Sequence, residues 1–368
     1  MRSARADVIG PRALNRALLA RQLLLERRAT AVEAALEHLV GLQAQAPDAP
    51  YVALWSRLAG FRTDELAGAL LDRRAVRAPL MRATIHLVTA RDARGIRTVV
   101  QPVLDRSFAG SPFPRQLDGV DLAELTAAAR TLLAEAPRTR VELSGLLSER
   151  WPEHDAASLA YAITYRVPLV QIPPRGVWRQ GGLATWAATE DWVPGPASAT
   201  STAEVILRYL GAFGPASVKD VQAWSGLTRL REVADGLGDR VRRFRDEGGT
   251  ELLDLPDAPR PDPDVPAAPR FLPEYDNVLL SHADRTRINP GGHPIPLPPG
   301  NGAALGTVLI DGALRGTWSL DESEGAAALT ILPYAPLTPA ESEAVTVEGA
   351  RLLGFVAPDA AAHDVRIV

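Results

Sequence analysis

Cysteine is absent from the 368 residues, so no disulfide, thiolate nucleophile or zinc–thiolate site can form. The histidines His38, His86, His154, His282, His293 and His363 are scattered, with no pair at metal-ligand spacing, and neither a metal nor a cofactor is expected. Lysine occurs once, as Lys219, within a stretch over 216–224 that reads as an ordinary helix. Near the arginine-rich N-terminus the apolar run is broken by Arg16, Arg21 and Glu26, so it is neither a secretory h-region nor a membrane span. A cytoplasmic protein with no membrane partner is expected. A glycine-rich nucleotide loop and a Ser/His/Asp arrangement are also lacking, which argues against a small-molecule enzyme of those kinds.

What is present is a chain long enough for two or more cores, 46% hydrophobic. Its net charge of −4 hides a gradient. Residues 1–120 hold 18 basic side chains against 11 acidic, residues 121–255 hold 15 against 18, and residues 256–368 hold 7 against 15. A basic first third suggests that phosphate contact begins there. Arginines that merely solvate helix faces give the same gradient.

Residues 13–28 place Leu14, Ala17, Leu18 and Leu25 on one helical stripe. Thr30 is placed to cap the next helix, whose stripe of Val32, Leu36, Leu39 and Val40 ends at Gly41. Helices over 51–58 and 64–71 follow. Residues 75–89 then alternate, with Met81, Ala83, Ile85 and Leu87 on one side and Arg82, Thr84, His86 and Val88 on the other. Helices over 122–134, 139–150 and 155–165 precede strands over 168–172 and 176–180. Helices over 203–212, 217–225 and 228–237 precede strands over 239–245 and 250–255, joined by the hairpin turn Asp246-Glu247-Gly248-Gly249. Helices followed by a short ribbon form the pattern of a winged helix, and it recurs three times. After a linker rich in Pro, Asp and Ala, strands over 278–280, 306–311, 313–318 and 327–333 with a helix over 338–352 suggest a small β-barrel or a strongly twisted sheet. The expected architecture is α+β: three tandem winged-helix units over 1–118, 119–200 and 201–256, a linker over 257–270, and a C-terminal β-domain over 271–368.

The stretch on which the chemistry turns is Gly41-Leu42-Gln43-Ala44-Gln45-Ala46-Pro47. Pro47 disfavours helix at Ala46, so an extended or turning connection is expected. Residues two apart then share a side, and both carboxamides reach one pocket. Alone, such a pair reads as amides that satisfy loop backbone near a helix end. Three further blocks change that reading: Leu18-Leu19-Ala20-Arg21-Gln22, Met81-Arg82-Ala83-Thr84-Ile85-His86-Leu87-Val88 and Asp276-Asn277-Val278-Leu279-Leu280-Ser281-His282-Ala283-Asp284-Arg285. Together the four resemble the AlkZ/YcaQ family of bacterial winged-helix DNA glycosylases, from roughly residue 12 to the C-terminus. Members carry Gln-x-Gln or Gln-x-Asp at the catalytic position. The Gln-x-Gln form here is similar to the AlkZ branch, which removes bulky natural-product adducts and interstrand crosslinks at guanine N7.

The resemblance implies that Gln43 and Gln45 are catalytic, that the partner is double-stranded DNA containing alkylated guanine, and that the C-terminal domain is a barrel. It also implies a bacterial protein that reaches the nucleoid through DNA, in self-resistance to, or repair after, a DNA-alkylating natural product. Tandem DNA-binding units remove the need for a dimer, so a monomer is expected. An N7-alkylguanine already bears positive charge and needs no general acid to leave. A glutamine carbonyl oxygen can hold a water and favour positive charge on the sugar, while a second amide fixes the first. Lys219 lies far along the chain from the glutamines, so no Schiff base and no lyase step are expected. Asp48 is an alternative carboxylate, better placed as a cap for the following helix.

DNA contact is expected from Arg82 and His86 on the polar side of the first ribbon, and from Arg175, Arg179, Arg242 and Arg243 on or beside later ribbon turns. It is also expected from His282, Arg285 and Arg287, ahead of a Pro/Gly-rich loop over 289–301. Each taken singly reads equally as a solvated arginine or a backbone-bonded histidine. Asp276 and Asn277 read equally as turn caps, and Trp224 and Trp318 as core. The competing reading of the whole is a non-catalytic winged-helix transcriptional regulator or lesion-binding shield, which would tolerate loss of the glutamines. A crosslinked base cannot rotate into a deep pocket, so an open cleft is expected.

Overall fold

A computed structural model describes residues 7–193, 195, 200–297, 305–323 and 325–368. The chain opens with β1 (Asp7–Ile9), α1 (Pro11–Arg21), α2 (Val32–His38), β2 (Leu42–Gln43), α3 (Ala49–Arg57), α4 (Thr63–Leu71), β3 (Ala75–Pro79), β4 (Ile85–Thr89) and α5 (Ala90–Ala109). A second run comprises α6 (Leu122–Glu135), β5 (Arg138–Thr139), α7 (Arg140–Arg150), α8 (Ala156–Arg166), β6 (Leu169–Gln171), β7 (Thr185–Ala188) and α9 (Thr189–Trp192). A third comprises α10 (Thr202–Phe213), α11 (Val218–Ser225), α12 (Arg231–Asp235), β8 (Arg242–Asp246) and β9 (Glu251–Asp254). The last holds β10 (Arg270–Leu272), β11 (Gly306–Ile310), β12 (Ala313–Ser323), β13 (Ala326–Pro333), α13 (Pro339–Val356) and β14 (Ala362–Ile367).

Backbone stops, rather than apolar stripes, set the first helix ends. α1 ends at Arg21 instead of running to 28, because Leu23 takes φ 56° and the Leu24 amide turns back to the Leu19 carbonyl at 2.8 Å. α2 ends the same way, with Val40 at φ 56° and the Gly41 amide donating to the Leu36 carbonyl at 2.8 Å. At its start Ala31, not Thr30, is the N-cap, and no side chain caps it. The 20-residue α5 has no counterpart in the sequence-based expectation; its Ala93, Ile96, Val100, Val103 and Leu104 enter the main apolar cluster despite Pro102 within the helix.

The first and second hairpins share one six-stranded sheet in the order β2-β4-β3-β6-β7-β5, joined where Arg77 pairs with Gln171. The return strand of the second hairpin is β7, not the stretch over 176–180, which turns around Gly176 at φ 95°. The third hairpin, β8 with β9, turns at Gly249 with φ 84° and is widened by β1, which runs parallel to β8. The expected C-terminal barrel is an open five-stranded sheet, in the order β10-β11-β12-β13-β14, among the described residues. One expected strand, over 278–280, is instead a 3₁₀ turn, Asn277–Leu279, capped by the Asp276 side chain. α13 lays Val345, Leu352, Leu353 and Val356 against the sheet, so a helix rather than closure covers its apolar face.

Arginines hold these parts together from within. Arg16, Arg21, Arg57 and Arg77 are among the largest fully buried side chains. Arg21 donates to Asp254 at 2.5 and 2.9 Å, tying α1 to β9. Arg57 donates twice to Asp276 at 2.8 Å and once to Gln22 Oε1 at 3.3 Å. Arg16 is bonded to Asp311, on the turn between β11 and β12. The N-terminal helix is thus fastened to the third hairpin and to the C-terminal sheet.

Asp254 also accepts from Arg260 and from the Leu255 amide. Asp254→Ala strands a buried guanidinium, and we expect it to lower the unfolding free energy by about 3–5 kcal/mol. Lys219 is exposed, and Lys219→Ala should stay within about 0.5 kcal/mol of the parent. Denaturant midpoints of the two variants measure both.

Candidate active site

The site begins at Gly41. It takes φ 88°, and a Cβ there would lie 2.5 Å from Val88 Cγ1 and 2.9 Å from the Leu87 carbonyl oxygen. Glycine meets both demands, the left-handed turn and the close approach. The chain leaving it pairs antiparallel with β4, Leu42 opposite Leu87 and Gln43 opposite His86. The Ala44 amide continues the pairing to the Ile85 carbonyl at 2.7 Å. Pairing with β4 along the sheet edge thus runs from Leu42 to Ala44, and Gln45 follows just beyond it. Alternation sends Leu42 and Ala44 into an apolar cluster and the two glutamines to the other face.

The glutamines share that face but not its exposure. Gln43 is 7% exposed and accepts at Oε1 from Arg82 Nη2 at 2.6 Å. Gln45 is half-buried, accepts from the Ile85 amide at 3.4 Å, and lines a cavity of about 670 Å³. Gln43 stands behind that wall rather than on it. Two further bonds fix the backbone between them: Arg77 Nη2 donates to the Ala44 carbonyl at 2.8 Å, and Asn277 Nδ2 to the Gly41 carbonyl at 3.3 Å.

Arg82 couples the site to the third run. It occupies the 3₁₀ turn Met81–Ala83 between β3 and β4, with φ 55°. One guanidinium nitrogen holds Gln43 and the other donates to the Trp224 carbonyl at the end of α11, where the helix dipole favours a cation. Gly226, at φ 79°, makes room; a Cβ there would lie 2.7 Å from Val103 Cγ1 and 3.4 Å from Arg82 Cα. Burial, and then the charge of Arg285, lowers Arg82 to about 10, so it stays cationic at neutral pH.

The cavity wall mixes charge with rings. Arg77 is 2% exposed, and its Nε and Nη1 have no hydrogen-bond partner among the described residues. Burial, and then Arg175, lowers it to about 10. Arg140 lies with its guanidinium 4.2 Å over the Tyr161 ring, and Tyr165 and Trp186 complete an aromatic side. Gln171 and Glu274 also face the space. Burial raises the Glu274 carboxyl above its ordinary range, and the nearby charge of Asp48 adds to this. Asp48, raised chiefly by burial, sits at the N-cap of α3 without capping it; its Oδ1 accepts from the Arg179 amide at 3.2 Å instead.

Of the residues expected at DNA, Arg175 reaches the cavity and donates to the Gly182 carbonyl at 2.9 Å. His86 lies opposite Gln43 but is fully buried, with Nδ1 donating to the Thr84 carbonyl at 3.0 Å and Nε2 without a hydrogen-bond partner among the described residues. Arg285 is exposed, makes no ion pair among the described residues, and lies close enough to Arg82 to act on it. Arg179 points to the C-terminal sheet, donating to Glu322 at 2.9 and 2.5 Å. Arg242 pairs with Asp7 at 2.5 Å and Arg243 with Glu251 at 2.8 Å, both on β8 away from the glutamines. His282 and Arg287 are interior. Ser281 Oγ donates to His282 Nδ1 at 3.0 Å while Nε2 donates to the Phe213 carbonyl at 3.1 Å, and Arg287 donates to the Pro215 carbonyl at 2.6 Å. The loop over 289–301 leaves the described residues at 298–301.

Sequence reasoning missed Arg77, Arg140, Gln171 and Glu274. An arginine inside the apolar run Ala75-Val76-Arg77-Ala78 was a usable signal. Nothing marked Glu274. Among the described residues no group of three or more His, Cys, Asp or Glu could hold a metal, and no helix is long and apolar enough to cross a membrane.

A family model described as DNA glycosylase AlkZ-like matches residues 36–355. Among solved structures, the Streptomyces sahachiroi DNA glycosylase AlkZ aligns with a TM-score of 0.72 at 22% identity, over 98% of this chain and 100% of that chain. At that identity the likeness speaks for the fold. No curated protein matches the chain.

Two interior imidazoles give the protein an acid sensitivity. Burial, and then Arg82, lowers His86 to about 3, and burial, and then Arg287, lowers His282 well below its ordinary value. The unfolded chain binds a proton at each near pH 6.5 that the folded chain refuses. Their contribution to stability is therefore full above about pH 6.5 and is lost as pH falls, by up to about 1.4 kcal/mol per histidine per pH unit. Unfolding free energies measured between pH 7 and pH 5 should show that decline, and His86→Asn should remove about half of it, leaving the share of His282.

Proposed function

The chain belongs to the AlkZ-like DNA glycosylase family, and from that premise we propose that it hydrolyses the N-glycosidic bond of bulky N7-alkylguanine in double-stranded DNA, interstrand crosslinks included. The observation that carries the reading is the edge strand β2 and the turn that leaves it, which present Gln45 to the cavity while Arg82 clamps Gln43 behind it. As the bond from C1′ to the base lengthens, positive charge moves from the alkylated guanine to the sugar. The Gln45 carbonyl oxygen, a neutral acceptor, orients the attacking water and favours that charge. Gln43, its oxygen held by Arg82, carries two N–H donors, which suits an amide that fixes its neighbour.

A cavity of about 670 Å³ with Tyr161, Tyr165 and Trp186 on its wall supports a bulky substituent over a methyl group. The helix-plus-hairpin runs suit three tandem winged helices acting as one monomer. Arg285, exposed beside Arg82, is the best-placed phosphate contact of those considered. The biological role that fits this chemistry is self-resistance to, or repair after, a DNA-alkylating natural product in a bacterial cytoplasm.

Single-turnover base release from duplex DNA carrying an N7-alkylguanine adduct tests the reading. The intact protein should release the base, and Gln43→Ala and Gln45→Ala should each slow release about a hundredfold while still binding DNA. Since Lys219, the one lysine, is exposed and off the cavity wall, borohydride should trap no adduct and the abasic strand should stay intact. Tight DNA binding with no release would favour the regulator or lesion shield.

A further inference from the structure

The proposed hydrolysis leaves one proton unassigned. The attacking water must shed it, and a neutral carboxamide is a poor base. The cavity wall that carries Gln45 carries one carboxylate, Glu274, from the segment after β10. Its own backbone and the charge of Asp48 act on it. The segment is fastened just after Glu274. Two residues on, Asp276 receives both bonds from Arg57 at 2.8 Å, and Asn277 then donates to the Gly41 carbonyl at 3.3 Å, where the glutamine strand begins. Tyr275, between Glu274 and Asp276, takes φ 62° and also faces the cavity.

We propose that Glu274 is the catalytic base of this enzyme. As the water oxygen bonds to C1′, Glu274 takes the water proton. The bond from C1′ to the base breaks, its electron pair stays with the cationic alkylguanine, and the base departs neutral. The inference rests on the glycosylase reading and completes its proton balance.

Asp48 is the rival carboxylate, but it is off the cavity wall and its Oδ1 is engaged by the Arg179 amide. The other ionisable groups facing the space are Arg77 on β3, Arg140 on α7, Arg175 after β6, Tyr161 and Tyr165 on α8, and Tyr275. Glu274 is the carboxyl group on this wall, and Asp48 is the carboxyl group whose charge acts on it.

The test is the pH profile of single-turnover base release from a duplex bearing one nitrogen-mustard N7 adduct. The intact protein should show a rate that climbs from acid pH and then levels. Glu274→Gln should be about a hundredfold slower at the plateau and lose the climb, with DNA affinity unchanged. Glu274→Asp should keep the climb and part of the rate, which a merely structural role would not require. Asp48→Asn should move the climb to lower pH, because removing a neighbouring negative charge eases ionisation of Glu274. An active parent with a Glu274→Gln variant of equal rate and equal profile would overturn the assignment and leave the glutamine reading standing. An inactive parent would overturn both.

Discussion

A guanidinium group cannot shed its charge by losing a proton at ordinary pH, so each one taken out of water must be met by acceptors. That constraint organises this protein. Arg21 finds Asp254 across 233 residues of chain, Arg57 finds Asp276 across 219, and Arg16 finds Asp311 across 295. Such pairs add little over well-packed apolar side chains, because desolvation offsets most of the attraction. Their weight lies in the cost of a mismatch: any arrangement that separated α1 from β9, or α3 from the turn after β10, would leave a bare charge in the interior. The N-terminal helix and α3 therefore dock in one place.

The candidate site inherits its geometry from the same rule. Arg57 holds Asp276, the next residue Asn277 holds the Gly41 carbonyl, Arg77 holds the Ala44 carbonyl, and Arg82 holds Gln43. The backbone from Gly41 to Ala44 is thus restrained by side chains from other parts of the chain and by β4. Gln43 sits on a sheet edge, and Gln45, just beyond it, is tied back to β4 through the Ile85 amide. An amide that must orient a water gains from this, since a group already held in place loses little entropy when the reaction begins.

Local backbone chemistry was the legible part of this structure. Gly41 as a helix stop, Pro47 as a bar to helix at Ala46, and Gly248-Gly249 as a hairpin turn each act through their own dihedral angles, and each reads straight from the residue type. Charge was the misleading part. Counting the arginines of the first third as surface charge ignored that Arg16, Arg21, Arg57 and Arg77 face inward, and only tertiary partners reveal that. His282 and Arg287 mislead for the same reason, each being occupied by main-chain carbonyls from the third run. The apolar triplet Val278-Leu279-Leu280 is too short for periodicity to separate a strand from a buried turn. The stripe of α5 was present in the sequence, with Pro102 concealing it.

On the proposed reading, neutral amides next to the scissile bond also bear on selectivity. An ordinary nucleoside needs a proton delivered to its base before the bond can break, and a site without a placed acid offers none. An N7-alkylated guanine carries its own activation. On the proposed reading, glutamines that can orient water and shelter a sugar cation act on the lesion while leaving normal guanine intact. Discrimination then comes from the charge the substrate already bears, and less from a tight fit to its shape. That frees the cavity to be roomy. A site that recognises its target through chemistry can keep aromatic walls wide enough for substituents of differing size, whereas one that relied on shape would have to close around a single adduct.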